Sequence, residues 1–235
     1  MEKALALGRS ALVSPPSLRG WDRVYLGSNF CAGLLPRGRD VEAALGAGAA
    51  AVTLCAPLLT DAELAAFLGE LKGLLKLAPR AELSCPDLGL ADSVRRRFGR
   101  KVPLLLARPS SVDYIRMEKK ALARFMKELG FRWLETDEAD MARQLPPSFP
   151  FPVAFHYPLK YLAMSRLCPV TASAGAGCAA PCGGKVRPLR PAGRGRELLQ
   201  YENAYFLGNA PSVAGPVKRL VRHSAATGLN KEKVS

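Results

Sequence analysis

The chain has 235 residues, 49% of them hydrophobic, and a formal net charge of +14 from 34 Lys and Arg against 20 Asp and Glu. That length supports one large domain or two small ones with a sizeable core. No apolar run approaches the roughly 18–20 residues of a membrane span, which argues against a membrane-embedded class. The N-terminus, MEKALALGRSALVSPPSLRG, sets Glu2 beside Lys3 and breaks its weak apolar stretch at Arg9, a poor secretory signal. A cytoplasmic location with reduced thiols is therefore expected, and six cysteines there do not read as a disulfide framework. The basic excess suggests an anionic partner, such as RNA, an anionic small molecule or an acidic protein, or else a solvated basic surface.

In chain order, short apolar runs alternate with helical patterns. DRVYLGS (22–28) reads as a first strand and RGRDVEAALGAGAA (37–50) as a helix. AAVTLCAP (50–57) follows, then TDAELAAFLGELKGLLKL (60–77), whose Thr60 and Glu63 form a capping-box pattern ahead of helically spaced leucines. AELSCPD (81–87), ADSVRRRFG (91–99) and VPLLLARP (102–109) continue the alternation. SVDYIRMEKKALARFMKELG (111–130) is a long helix ending on a Gly suited to its C-cap. FRWLE (131–135) and PFPVAFHYP (150–158) are strands five and six; NAYFLGN (203–209) and VKRLVRHS (217–224) are candidates for seven and eight.

Strand alternating with helix means βαβ units and a largely parallel sheet. The economical reading is a single α/β domain over 1–235, a (β/α) barrel of TIM type, incomplete or distorted, with its late helices shortened. An open doubly wound sheet is the alternative, although the first strand leads into neither GxGxxG nor a Walker A pattern.

Ligands gather at the C-terminal ends of strands in such folds. Cys31 lies just beyond the first expected strand, Cys55 and Cys85 end the next two, and a cysteine-rich loop at 167–187, LCPVTASAGAGCAAPCGGKVR, follows the sixth. Cys31 can therefore meet Cys168, Cys178 and Cys182 in space. The loop spacing is C-x9-C-x3-C, and Gly and Pro surround the thiols. An iron–sulfur cluster tolerates such spacing because its iron corners are separate. Zinc, usually held by closer CxxC-type pairs, and no metal at all stay open at this point.

Three blocks carry a resemblance: VYLGSNFC (24–31), YPLKYLAMSRLC (157–168) running into the cysteine spacing, and YENAYFLGN (201–209). In this order along nearly the whole chain they resemble the collagenase-like peptidase family, U32, and within it the branch of oxygen-independent ubiquinone biosynthesis. The resemblance implies a barrel-like fold and a 4Fe–4S cluster on Cys31, Cys168, Cys178 and Cys182, with zinc as the runner-up. It also implies a component of oxygen-independent hydroxylation of a quinone precursor or an RNA base, working beside a related paired subunit. The family name suggests a peptidase, but no HExxH motif, Ser-His-Asp pattern or reactive-cysteine signature supports that.

Other residues have sharper and plainer readings. Cys55 and Cys85 read as buried strand thiols, with a reserve role as ligands. His156, Tyr157 and Arg166 near the sixth strand end are candidates for binding an anionic substrate. Lys185, Arg187, Arg190, Arg194 and Arg196 form an acid-free basic stretch for RNA or a partner. Glu202 and Asn203 are expected at the start of a seventh barrel strand in a fold-stabilising role, and His223 in solvent.

Overall fold

The computed structural model describes residues 1–8, 17–165, 167–172, 178, 182, 184–190 and 197–226. Eight parallel strands close into a barrel. In order around it they are β1 (Glu2–Ala6), β2 (Arg23–Gly27), β3 (Val52–Cys55), β4 (Glu82–Cys85), β5 (Leu104–Leu106), β6 (Phe131–Thr136), β7 (Val153–Tyr157) and β12 (Val217–His223). The ring closes where β1 pairs in parallel with β12, from Glu2↔Arg219 to Ala6↔His223. Strands β3, β4 and β5 are buried at every position, as expected when helices cover the outside of a parallel sheet.

The barrel is closed, with no strand missing, but its first strand is one the pattern of runs overlooks. Glu2–Ala6, EKALA, consists of good helix formers, and closure between β2 and β12 overrides that preference. The eighth count is restored because 203–209 is not a barrel strand. Between β7 and β12 lies a separate antiparallel sheet of β8 (Leu159–Met164), β9 (Arg187–Leu189), β10 (Leu198–Tyr201) and β11 (Ala204–Gly208), in the order β8-β11-β10-β9.

Helices α1 (Gly38–Gly46), α2 (Asp61–Leu77), α3 (Leu88–Phe98), α4 (Arg108–Tyr114), α5 (Lys119–Leu129) and α6 (Ala139–Gln144) accompany the strands. Thr60 caps α2, accepting from Glu63 N–H while Glu63 reaches back to Thr60 N–H. The span 111–130 divides into two helices. Glu118 accepts from the N–H groups of Lys120 and Ala121, starting α5 afresh, and Gly130 ends it in the left-handed conformation. The late helices are short as expected: α6 has six residues, and the small sheet stands where a helix would follow β7. Among the described residues no helix is long and apolar enough to cross a membrane.

The bottom of the barrel is closed by charge. Arg219, fully buried, donates to both oxygens of Glu82 (2.8 and 3.2 Å), to Glu2 (2.8 Å) and to the Tyr25 hydroxyl (2.9 Å). Its guanidinium lies 4.0 Å from the Trp133 ring centroid, a cation–π contact. Arg23 faces Glu2 and Glu82 from the side, at 2.7 and 3.4 Å. Removing one member of a buried ion network leaves charge without compensation. Arg219→Met is expected to destabilise the fold by about 3 kcal/mol in urea unfolding. That is the low end for such a loss, because Arg23 still faces both carboxylates.

Candidate functional site at the barrel mouth

The C-terminal ends of the strands carry polar side chains that converge over the barrel axis. β2 leads to Ser28 and Asn29, β3 ends at Cys55, and β4 contributes Ser84. Arg108 follows β5, Glu135 and Asp137 come from the end of β6, His156 lies in β7, and His223 ends β12. Glu202 comes from above, on the turn that joins β10 to β11. Ser28, Tyr25, Cys55, Arg108, His156 and Glu202 are among the residues lining a cavity of about 20 Å³, room for about one water molecule.

Arg108 organises this mouth. It is 1% exposed and donates to Asp137 (3.3 Å) and to the Leu159 carbonyl (3.1 Å), while its Nη2 lies 3.0 Å from His223 Nε2. Phe30 covers it, the guanidinium 5.2 Å from the ring centroid. His156 Nδ1 lies 3.1 Å from His223 Nε2, and its Nε2 lies 3.5 Å from Glu135 Oε1. Ser84 donates to Glu135 Oε2 at 2.6 Å. Ser28 donates to Glu202, which holds a positive φ of 57°, a conformation that non-glycine residues rarely adopt.

Burial governs the titration of these groups. It raises the carboxyl of Asp137 to about 6, against the pull of Arg108, and that of Glu202 to about 7, against the hydrogen bonds from Ser28 and Tyr201. It also raises Glu135 and lowers both histidines, which Arg108 lowers further. Each buried group is thus pushed toward its neutral form.

The expectations for single residues fare differently. His156 is at the mouth, 1% exposed. Tyr157, one position on, packs with the layer between barrel and helices, because successive strand residues point to opposite faces. Arg166, Arg194 and Arg196 lie outside the described residues. Lys185, Arg187 and Arg190 are exposed, Arg187 on β9. Two expectations are corrected. His223 is buried, at 8% exposure, because the closing strand delivers it to the mouth. Glu202 and Asn203 do not begin a barrel strand; they form the β10–β11 turn that reaches the cavity. Arg108, Glu135 and Asp137 escape motif reading, although all three directly end or follow strands, the one signal available for them.

The cysteines lie on the rim. Cys55 and Cys85 are buried strand residues, 4% and 0% exposed. Cys31 precedes a 3₁₀ turn, Ala32–Leu34, and packs with Leu34, Cys182 and Val170. A Cβ placed on Gly33 would stand 3.1 Å from Cys178 Cβ and 3.7 Å from Cys31 Sγ, so these two cysteines meet across the glycine. Cys168 Sγ accepts from Val170 N–H at 3.4 Å. Burial raises the Cys31 thiol to about 12, helped by Glu202, and the charges of Cys182 and Cys168 act on it too. Cys168, near the surface, is held below its ordinary value: slight burial is outweighed by hydrogen bonds from Thr171 and Val170. The four thiols share one edge of the mouth, and no histidine is among them. Among the described residues, no three metal-ligating side chains already surround a single point.

No protein-family model matches the chain, and no curated protein sequence does. Among solved structures it is similar to the U32 peptidase Mk0906, at 12% identity and a TM-score of 0.53, over 95% of this chain and 93% of that one. That likeness establishes a shared fold.

An acid whose value is raised by folding binds its proton more tightly when folded. Its stabilising contribution is complete below the unfolded value and is lost as pH rises through the folded one. For Asp137 that window runs from 3.8 to about 6, and for Glu202 from 4.5 to about 7. Asp137→Asn is expected to flatten the fall in unfolding free energy across the Asp137 window, measured by urea titration at a series of pH values.

Proposed function

We propose that the chain is a cluster-bearing protein of the collagenase-like peptidase, U32, family, with a 4Fe–4S cluster held by Cys31, Cys168, Cys178 and Cys182. In this reading it is a component of oxygen-independent hydroxylation of a quinone precursor or RNA base, in the cytoplasm and beside a related subunit. The observation that carries it is the meeting of Cys31 with Cys178 across Gly33, with Cys182 packed on the same turn. Residues separated by more than a hundred positions in the chain share one rim, and all four candidate donors are thiols. The fold shared with a U32 peptidase supports the family assignment. A bound cluster supplies one-electron chemistry and stays attached through thiolate sulfur.

The chain's own residues supply the rest of the site. Phe30 lies over Arg108 and stacks on Tyr161 at 5.4 Å, and the small sheet covers this side of the mouth, which keeps bulk water from the polar groups. Arg108 and the buried acids beneath it hold protons and orient an oxygen-bearing ligand. Peptide hydrolysis ranks lower. The known ring contacts of the two histidines are to each other, Arg108 and Glu135, rather than to a serine or cysteine nucleophile.

A second reading is supported by β9, whose three residues are all exposed and which carries Arg187 between Lys185 and Arg190. There the cluster, or a zinc ion, is structural and the basic edge binds RNA or a partner. RNA affinity that falls steeply with salt and disappears when these three residues become Ala would favour it.

Anaerobic purification followed by iron, sulfide and zinc analysis tests the main reading. About four iron and four acid-labile sulfide per chain are expected, with visible absorbance bleached by dithionite. Each Cys→Ser change at the four positions is expected to lower the iron content. Gly33→Val, whose side chain drives into Cys178, should do the same while circular dichroism stays unchanged. Stoichiometric zinc without sulfide would replace the redox site by a structural one. Absence of both metals after reconstitution would overturn the reading.

A further inference from the structure

Both histidines of the chain lie in one buried series of contacts, and the chemistry at its ends fixes where the hydrogens are. A guanidinium has donors and no acceptor. Arg108 Nη2 is 3.0 Å from His223 Nε2, so that nitrogen carries a lone pair. The same nitrogen lies 3.1 Å from His156 Nδ1, a contact that is attractive when Nδ1 bears the hydrogen. A neutral His156 then turns a lone pair at Nε2 toward Glu135 Oε1, 3.5 Å away.

Neither of those two facing atoms has a hydrogen-bond partner among the described residues, and both side chains are at least 99% buried. Two lone pairs opposed in a low-dielectric site repel, and a single proton between them converts the contact to attraction. Ser84 donates to Glu135 Oε2, which marks that oxygen as the acceptor and leaves Oε1 to carry a hydrogen. Burial raises Glu135 and lowers His156, consistent with a neutral acid beside a neutral imidazole.

The charged and titratable groups around the pair come from every side. Tyr25 and Arg219 act from lower in the barrel with Glu82, Cys55 from β3, and Arg108 with His223 at the mouth. His156, His223, Arg108, Tyr25 and Cys55 also line the one-oxygen cavity.

We propose that Glu135 and His156 share one transferable proton between Glu135 Oε1 and His156 Nε2, forming an acid–base site for a ligand whose reacting atom is a single oxygen in this cavity. In the transfer, the proton on Glu135 Oε1 moves to His156 Nε2 as the His156 Nδ1 proton moves to the ligand oxygen. Glu135 is left as a carboxylate, both imidazoles remain neutral, and the ligand oxygen gains one proton. Reversal takes the proton from the ligand, or from water, back to Glu135. The site stands independently of the cluster.

The chain's two histidines make the test direct. Full-length protein labelled with ¹⁵N-histidine is examined by long-range ¹H–¹⁵N spectroscopy between about pH 5 and 8, the range in which free histidine changes charge. Both imidazoles are expected as neutral Nδ1–H tautomers throughout. Infrared difference spectra should show a protonated-carboxyl C=O band that Glu135→Gln removes. In that variant the side-chain amide donates to His156 Nε2, so both tautomers persist. The His156 Nδ1–H should show an exchange cross-peak with water, and Ala6→Val, which extends into the cavity, should lose it. An imidazolium or an Nε2–H form at His156 would overturn the shared proton. A missing cross-peak in the unmodified protein would overturn the oxygen site.

Discussion

A guanidinium with almost no exposure to water must find acceptors inside the protein, and Arg108 finds them on three different strands. Asp137 follows β6, the Leu159 carbonyl begins β8, and His223 Nε2 ends β12. The barrel's last strand and the start of the small sheet are thus tied to the end of β6 through one side chain. Breaking any of these contacts strands charge where solvent cannot reach it, a cost of several kcal/mol in typical cases. The positions of the histidines, the buried acids and the lid sheet all follow from satisfying that one cation.

The two ends of the barrel solve the same problem differently. At the bottom, Arg219 meets Glu82 in a bidentate pair and Glu2 beside it, so charge is closely matched. At the mouth, Arg108 has a single close carboxylate and spends its remaining contacts on a carbonyl and an imidazole. Glu135 and Glu202 are meanwhile raised by burial toward neutral forms. A matched network holds a barrel closed. A mouth whose acids hold protons has them to exchange, and buried atoms such as Arg108 Nε and Asp137 Oδ1 lack hydrogen-bond partners among the described residues. The contrast separates the stabilising end from the chemical end, as barrels of this type generally do.

Much of the barrel is legible because its strands are nearly all apolar and its helices have clear caps and periodicity. The two errors in strand assignment have distinct physical causes. EKALA is made of residues that favour helix, and only closure of the ring makes it a strand, a constraint no local window contains. In NAYFLGN the evidence was present: Ala204 and Phe206 are buried while Tyr205 and Leu207 are partly exposed. That alternation marks a strand of an antiparallel sheet with one covered face, unlike the uniformly buried barrel strands. The break at Glu118 was likewise written in the chain, as an acid able to cap two N–H groups inside an apparently continuous helix. For the site, cysteine spacing announces itself, whereas Glu135, Asp137 and Arg108 have no motif. Their meaning comes from burial and from their positions around a closed ring.

The segment after β2 joins these two levels of the site. Ser28 donates to Glu202 inside the cavity, and Asn29 donates to the carbonyls of Ala56 and Ser84, fastening the loop to β3 and β4. Phe30 lies over Arg108, and Cys31 then emerges on the rim beside Cys182 and Cys178. Four consecutive residues therefore touch the acid, the barrel wall, the central cation and the thiol cluster in turn. The Asn29 bonds leave this backbone little room to shift. A ligand that draws Cys31 outward must therefore move Phe30 over Arg108 or strain the Ser28–Glu202 contact. Events at the thiols are coupled in this way to the packing above Arg108, and the coupling runs through covalently adjacent residues rather than through a long path across the core.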